Sequence, residues 1–196
     1  FGKNICSDCF MPDKGLLPSP RWKMNTHNFG WFIGDTVNMG VGQGYINATP
    51  IQLAYYSAFL ATKGNVNNFS FVQNNSNIKN SFISKNIKES DWKNVHESMI
   101  GVIENPKGTA GGLRNLKDYL IAAKSGTVEL VSTETKEDYQ IIREVEGKRD
   151  HAIIIAFGPM PNPRYAVSVV IENGESGGSV AGPVAIAVLN SLINND

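Results

Sequence analysis

The sequence predicts an α+β protein in which an antiparallel sheet packs against helices. Two β-rich runs come first. His151 to Phe157 contains Ile153-Ile154-Ile155, and Tyr165 to Ile171 contains Val167, Val169 and Val170, with Pro159, Pro161, Asn162 and Pro163 between them. Proline and asparagine between two such runs make a tight connection of hairpin type. A shorter apolar run, Tyr119-Leu120-Ile121-Ala122-Ala123, leads into Lys124-Ser125-Gly126-Thr127. Residues 119–130, 151–158 and 165–172 are therefore expected to form an antiparallel meander. A last helix is expected from about Val180 to Ile193, with Pro183 in its first turn. Strands followed by a helix that covers one sheet face give a layered α+β architecture.

The remaining elements follow in chain order. Residues 1–45 are rich in Gly, Pro and Asn and read as loop with short elements, and Leu16-Leu17-Pro18-Ser19-Pro20 forbids a continuous helix there. The first strong helix spans about 50–63. Thr49 is a good N-cap, Pro50 suits the first helical position, and Gln52 completes a capping box with Thr49. Ile51, Ala54, Tyr55, Ala58 and Phe59 line up as its apolar face, and Lys63-Gly64 is its stop. Residues 65–88 are dominated by Asn, Ser and Lys, a low-complexity surface segment. A second helix is expected after it, capped by Ser90, with Trp92, Val95, Met99, Val102 and Ile103 at helical spacing and Pro106 and Gly108 at its end. Residues 132–150 are polar, with Ile141, Ile142 and Val145 as scattered apolar positions.

Composition narrows the classes. The chain has 196 residues, 41% apolar and 18% charged, with a formal net charge of zero. That is ordinary for a globular protein and gives no basic footprint for nucleic acid or an anionic membrane surface. No apolar run reads as long enough to span a bilayer, and no basic-then-apolar signal opens the chain. It starts at Phe1-Gly2-Lys3-Asn4, without a Met, which reads as the interior of a longer protein. Cys6 and Cys9 are spaced C-x-x-C. A zinc site would need two more ligands nearby and a redox pair a βαβ pattern that is missing, so they read as incidental cysteines, with pairing in an oxidising compartment left open. No metal and no cofactor is expected.

Lys124-Ser125-Gly126-Thr127 carries the chemistry. Lys supplies a fixed positive charge, the hydroxyls of Ser125 and Thr127 donate hydrogen bonds, and Gly126 lets a ligand approach the backbone. That set suits a ligand with a carboxylate and a carbonyl. On the tetrapeptide alone, a solvated edge-strand lysine before a bend-forming glycine is the simpler reading.

The context adds to it. Gly34-Asp35-Thr36, Gly42-Gln43-Gly44 and Ala48-Thr49-Pro50-Ile51-Gln52 stand in that order. Around them lie Lys14-Gly15-Leu16-Leu17-Pro18, Gly108-Thr109-Ala110, Ile121 to Thr127, Arg149-Asp150-His151, Ala156-Phe157-Gly158-Pro159, Glu172-Asn173-Gly174 and Gly177 to Pro183. The ordered set resembles the class B penicillin-binding proteins, and within them the elongation-specific transpeptidases. The resemblance implies a serine-transpeptidase fold, with a five-stranded antiparallel sheet and an all-helical lobe. It implies cross-linking of peptidoglycan through an acyl-enzyme serine and reaction of that serine with β-lactams. It implies stem peptides as substrate, elongation-complex proteins as partners, and work at the periplasmic face of the cytoplasmic membrane. It also gives roles. Lys124 would attract the substrate carboxylate, Ser125 and Thr127 would bind it, Gly126 would leave room for it, and the Thr127 N–H would be one oxyanion donor.

The sequence departs from the family in one respect. The family's S-x-x-K and S-x-N/D motifs precede the stretch that resembles Gly42-Gln43-Gly44. Here the formal matches, Ser76-Asn77-Ile78-Lys79 and Ser84-Lys85-Asn86, follow it within the Asn/Ser/Lys-rich segment. They read as products of composition, because a nucleophilic serine needs a buried helix start that brings its lysine alongside. The chain thus reads as the C-terminal portion of a transpeptidase domain, enzymatic in its parent and inactive alone. A non-catalytic remnant or interaction module, and a serine β-lactamase relative, are the competing readings. Among other polar residues, Asp35 reads as a turn former, Gln43 has no assigned partner, and His151 reads as a structural hydrogen-bonder. Gly177-Gly178 reads as a plain helix start, and Trp22, Trp31 and Trp92 as packing residues.

Overall fold

The computed structural model describes residues 5, 6, 8, 13–67, 69–72, 80–83, 86–131, 135–145 and 147–196. Cys9, Ser76-Asn77-Ile78-Lys79, Ser84 and Lys85 lie outside the described residues. Cys6 takes part in a disulfide.

Two short helices stand where loop with short elements was expected. α1 spans Pro20–His27, and the Ser19 side chain accepts from Trp22 N at 3.1 Å. The same prolines that forbid a helix through residues 16–20 therefore start one, since Pro is favoured at the first helical position behind a Ser cap. α2 spans Ile33–Gly40, and Asp35 accepts from Phe32 N at 2.7 Å to close its first turn.

α3 spans Pro50–Ala61 with the expected reciprocal cap. Thr49 Oγ1 accepts from Gln52 N at 3.3 Å, and Gln52 Oε1 accepts from Thr49 N at 3.0 Å. Lys63 and Gly64 both take positive φ (54° and 81°), and Gly64 N returns to Phe59 O at 2.8 Å. The buried side of α3 differs from the expected one. Ser57 and Leu60 are buried, and Ile51 and Tyr55 pack instead against Ile5 and Cys6. Ser57 Oγ donates to Ala156 O at 2.9 Å, a bond that lets a hydroxyl sit in the core.

The edges of the Asn-rich segment pair: β1, Asn65–Asn67, runs antiparallel to β2, Asn80–Ile83. α4 spans Glu89–Glu104, and its cap is Lys88 rather than Ser90, with Glu89 and Asp91 in the first turn. It buries Trp92, His96, Met99 and Ile103, while Val95 is exposed. His96 takes the expected place of Val95 because its Nε2–H donates to Leu60 O at 2.8 Å, tying α4 to the end of α3.

The sheet is the expected meander. β3 (Ala122–Val128), β4 (His151–Gly158) and β5 (Tyr165–Ile171) are antiparallel in the order β3-β4-β5. Among the described residues this sheet has three strands, not the five that the resemblance implies. Lys124 lies opposite Ile155 and Thr127 opposite Ala152. α5, Lys136–Ile142, occupies the polar stretch before β4.

Both faces of the sheet are covered. Ala123, Ala152, Ile154 and Ala156 pack against Ala185, Ile186 and Leu189 of α6, Gly182–Asn194. Ala122, Ile155 and Phe157 point the other way, to Leu60, Trp92 and Met99 of α3 and α4. The alternation follows from the two-residue period of a strand. A π turn, Gly177–Ala181, leads into α6. Gly177–Asn194 is long and apolar enough to cross a membrane by length and composition, which the sequence reading overlooked. Its inner side is core against the sheet.

Candidate active site

The Lys-Ser-Gly-Thr run lies on β3, at the edge of the sheet. Its three kinds of polar group point three ways. Lys124 shares a face with Ala122, so it lies on the α4 side. Its Nζ donates to Ser125 O at 2.6 Å. It borders an open cavity of about 630 Å³ with Glu97, Ser98 and Gly101 of α4 and with Lys107 and Thr109. Ser125 and Thr127 share the opposite face with Ala123. Ser125 Oγ is 2.8 Å from Thr109 Oγ1, and Thr127 Oγ1 donates to Glu175 O at 3.2 Å.

The backbone of these residues faces the third way, outward. A Cβ built on Gly177 would lie 2.2 Å from Ile153 O and 2.6 Å from Gly126 O. One point that close to both carbonyls means both point into the gap between β3 and β4. Gly126 and Ile153 are thus a hydrogen-bonded pair. Residues flanking such a pair turn their N–H and C=O away from the partner strand. Ser125 and Thr127 therefore present both backbone groups to the free edge. The same contacts explain Gly177 and Gly178. At Gly178 a Cβ would lie 2.2 Å from Thr109 O. These glycines let the π turn pack directly on the strand pair and on the 108–110 turn, a closer role than a plain helix start.

Gln43 reaches that free edge. Its Nε2 donates to Thr127 O at 3.2 Å, across 84 residues of sequence. Asp35 closes the first turn of α2, as a turn former does, and is also an ion-pair partner. Its Oδ2 accepts from Lys23 Nζ at 2.5 Å in an ion pair whose lysine is buried (4% exposed). The hydrogen bond from Lys23, and then that from Phe32 N, hold the Asp35 carboxyl below its ordinary value of 3.8. The Lys23 ammonium also sits 4.6 Å from the Phe32 ring centroid. Trp22 meets His27 and Tyr45 edge-on and Trp92 is buried, so both pack as expected, whereas Trp31 donates to Thr36 Oγ1 at 2.8 Å.

The end of β3 is braced by a polar cluster. Arg143 at the end of α5 pairs with Glu175 Oε2 at 2.9 Å. Tyr139 donates to Asp150 Oδ2 at 2.8 Å, and Asp150 Oδ1 accepts from Leu130 N at 3.3 Å. Burial, then the bond to Asp150, push the Tyr139 phenol above its ordinary 10.0. His151 Nδ1 accepts from Asn173 N at 3.0 Å, the structural bond expected of it.

The arrangement offers a cation, an outward N–H and an open groove beside one strand edge, a set that can hold an acyl group with a nearby carboxylate. Among the described residues no cluster of three or more His, Cys, Asp or Glu is placed to hold a metal ion. Thr109, Lys23 and Glu175 escaped the sequence reading. Thr109 lies in Gly108-Thr109-Ala110, where nothing local pairs a threonine with a serine on a distant strand.

Comparison with known proteins agrees with this geometry. The family of the penicillin binding protein transpeptidase domain matches residues 10–190. The peptidoglycan D,D-transpeptidase MrdA of Salmonella typhimurium is 33% identical over 99% of this chain and 33% of its own length. That of Escherichia coli K12 is 32% identical over 93% of this chain and 30% of its own. The chain thus spans about a third of the length of the curated relatives it matches. Among solved structures, PBP2 of Pseudomonas aeruginosa in complex with WCK 5153 superposes with a TM-score of 0.82, at 34% identity, over 98% of this chain and 41% of that one. PBP2 of Helicobacter pylori, in its complex with MreC, gives 0.81 at 28% identity over 99% and 33%. A three-strand meander with a Lys-Ser-Gly-Thr edge, a domain match over most of the chain and relatives at a third identity lead to one conclusion: this chain belongs to the penicillin-binding protein transpeptidase family and has its α+β serine-transpeptidase fold.

Proposed function

We propose that these residues are the C-terminal portion of the transpeptidase domain of a peptidoglycan D,D-transpeptidase, forming one wall of its active site. The observation that carries this is the free edge of β3, where the outward Thr127 N–H stands beside the Lys124 ammonium. In this reading a serine from outside these residues attacks the D-Ala-D-Ala carbonyl of a stem peptide. The Thr127 N–H stabilises the oxyanion that forms, and Lys124 draws in the terminal carboxylate. Gly126 leaves the edge open to the substrate, and the Ser125 and Thr127 hydroxyls turn to the carboxylate from their resting bonds to Thr109 and Glu175. D-Ala leaves, and an amine of a neighbouring stem peptide takes the acyl group. A β-lactam enters by the same route and stays as the acyl-enzyme. The setting would be the periplasmic face of the cytoplasmic membrane, among proteins of cell elongation. The family membership and the MreC complex of the Helicobacter relative support that setting.

The test is covalent labelling of the longest natural protein that carries these residues. Intact mass spectrometry after incubation with a fluorescent penicillin should show one adduct per chain, on a serine other than Ser76 or Ser84. Lys124→Ala should slow acylation on the order of 100-fold, as loss of an oxyanion contact does. Its folding stability should change by no more than about 0.5 kcal/mol, because the side chain is exposed. No adduct on the longer protein would sink the proposal. An adduct on Ser76 of the 196-residue chain would restore the nucleophile to this segment.

A further inference from the structure

We propose that Gln43 is a positioning residue for the oxyanion-binding N–H of Thr127. The inference rests on the transpeptidase reading and adds to it a residue that touches no substrate. The N–H and C=O of Thr127 leave the strand on the same side. Whatever fixes the carbonyl therefore fixes the direction of the N–H. On its inner side β3 is held by β4 through Gly126 and its alternate neighbours. On its outer side no strand pairs with it among the described residues. There Gln43 Nε2 donates to Thr127 O at 3.2 Å.

The loop that presents Gln43 is built for the purpose. Gly42 and Gly44 both take positive φ (82° and 76°), a conformation that other residues adopt at a cost. Between them, Gln43 N donates to Asn38 O at 2.9 Å and Gly42 N to Met39 O at 3.1 Å. The loop thus closes onto the last carbonyls of α2. The Lys23–Asp35 pair in turn fixes the first turn of α2. On the opposite face of β3, the Thr127 hydroxyl is held by Glu175 O at 3.2 Å. At rest the carbonyl and the hydroxyl are each occupied, and the N–H faces the edge from which a substrate carbonyl arrives. The Gly-Gln-Gly motif is therefore a bracket for a backbone group on a strand far along the chain.

The experiment compares wild type with Gln43→Ala and Gln43→Met in the longest natural protein that carries these residues; Met keeps the length and removes the donor. One rate and one affinity are read alongside the melting temperature. The second-order acylation by a penicillin should fall roughly tenfold to a hundredfold in both variants, since misaiming a donor costs less than deleting it. Affinity for a boronic acid, whose tetrahedral adduct places an oxygen where the oxyanion would be, should fall by a similar factor. The melting temperature of Gln43→Met should stay at the wild-type value. Unchanged acylation in Gln43→Met would overturn the inference. So would a loss that follows a lowered melting temperature while boronate affinity holds, the mark of a mere staple. A wild type that takes up no penicillin would sink the transpeptidase reading as well, so the two failures are told apart.

Discussion

At the scale of single residues, the buried polar groups separate what a sequence shows from what it hides. Lys23 is 4% exposed, and Asp35 and the Phe32 and Tyr45 rings stand in for the water it lost. Nothing in Pro20-Arg21-Trp22-Lys23 announces this, since the partner lies twelve residues on. A pH dependence follows. The folded state holds the Asp35 carboxyl below 3.8. A depressed carboxyl contributes stability above its unfolded value and loses that contribution as pH falls through the folded one. Asp35→Asn should lower the melting temperature at pH 7, and the gap from wild type should close as pH drops below 3.8. A gap that stays constant across a pH 7 to pH 2 melting series would mean that the carboxylate charge does nothing there. Lys124, Ser125, Gly126 and Thr127 were legible because they are contiguous. Their separate directions were not fully so, since alternation assigns faces but not which side of the strand is left unpaired.

At the scale of elements, local chemistry was the reliable guide. The Thr49–Gln52 cap, the Lys63-Gly64 stop and the three β runs were all visible, because each depends on neighbours a few residues apart. α1 was legible only as an unplaced short element although Ser19-Pro20 is itself a start signal; its low apolar content gives no periodicity to follow. The buried faces of α3 and α4 were misread for another reason. Ser57 and His96 are polar by sequence and are buried because Ala156 O and Leu60 O meet them, bonds of tertiary origin. The π turn offers the sharpest test at this scale. Gly177→Ala would place a methyl group 2.2 Å from Ile153 O, a contact with backbone that cannot swing aside. Overpacking of this kind costs about 1–3 kcal/mol. Denaturant unfolding should show at least that loss, with the β3 edge at the adjoining Gly126 disturbed too. A Gly177→Ala protein as stable as wild type would mean that the turn has slack.

At the scale of the whole molecule, the surface is uneven. Ile33, Val37 and Val41 recur at four-residue spacing along and beyond α2 and are exposed, as are Phe29 and Phe32 beside them. Contiguous apolar surface of this kind favours association. The isolated 196-residue chain should therefore bind a hydrophobic dye and elute above monomer size in gel filtration, and Ile33→Glu with Val37→Glu should reverse both. A monomer with no dye signal would show that the stripe is inert. The same scale sets the limit of reading this chain as sequence. The family emerged from ordered motifs, but the site's assembly rests on Gln43, Thr109, Thr127 and Glu175, which meet only in the folded chain.

That meeting has a kinetic side. The bond from Gln43 to Thr127 spans 84 residues and that from Ser57 to Ala156 spans 99, so the walls of the groove close over long loops of chain. Contacts of such separation bear their loop entropy before they return any stability, and they form late. As the chain emerges, the capped α3 and the β4–β5 hairpin can organise early, while the Lys124 edge waits for both ends. A molecule caught part-way would have helices and a hairpin and yet no finished groove at the Lys124 edge; on the proposed transpeptidase reading, penicillin uptake by the longer protein would report the last step of folding.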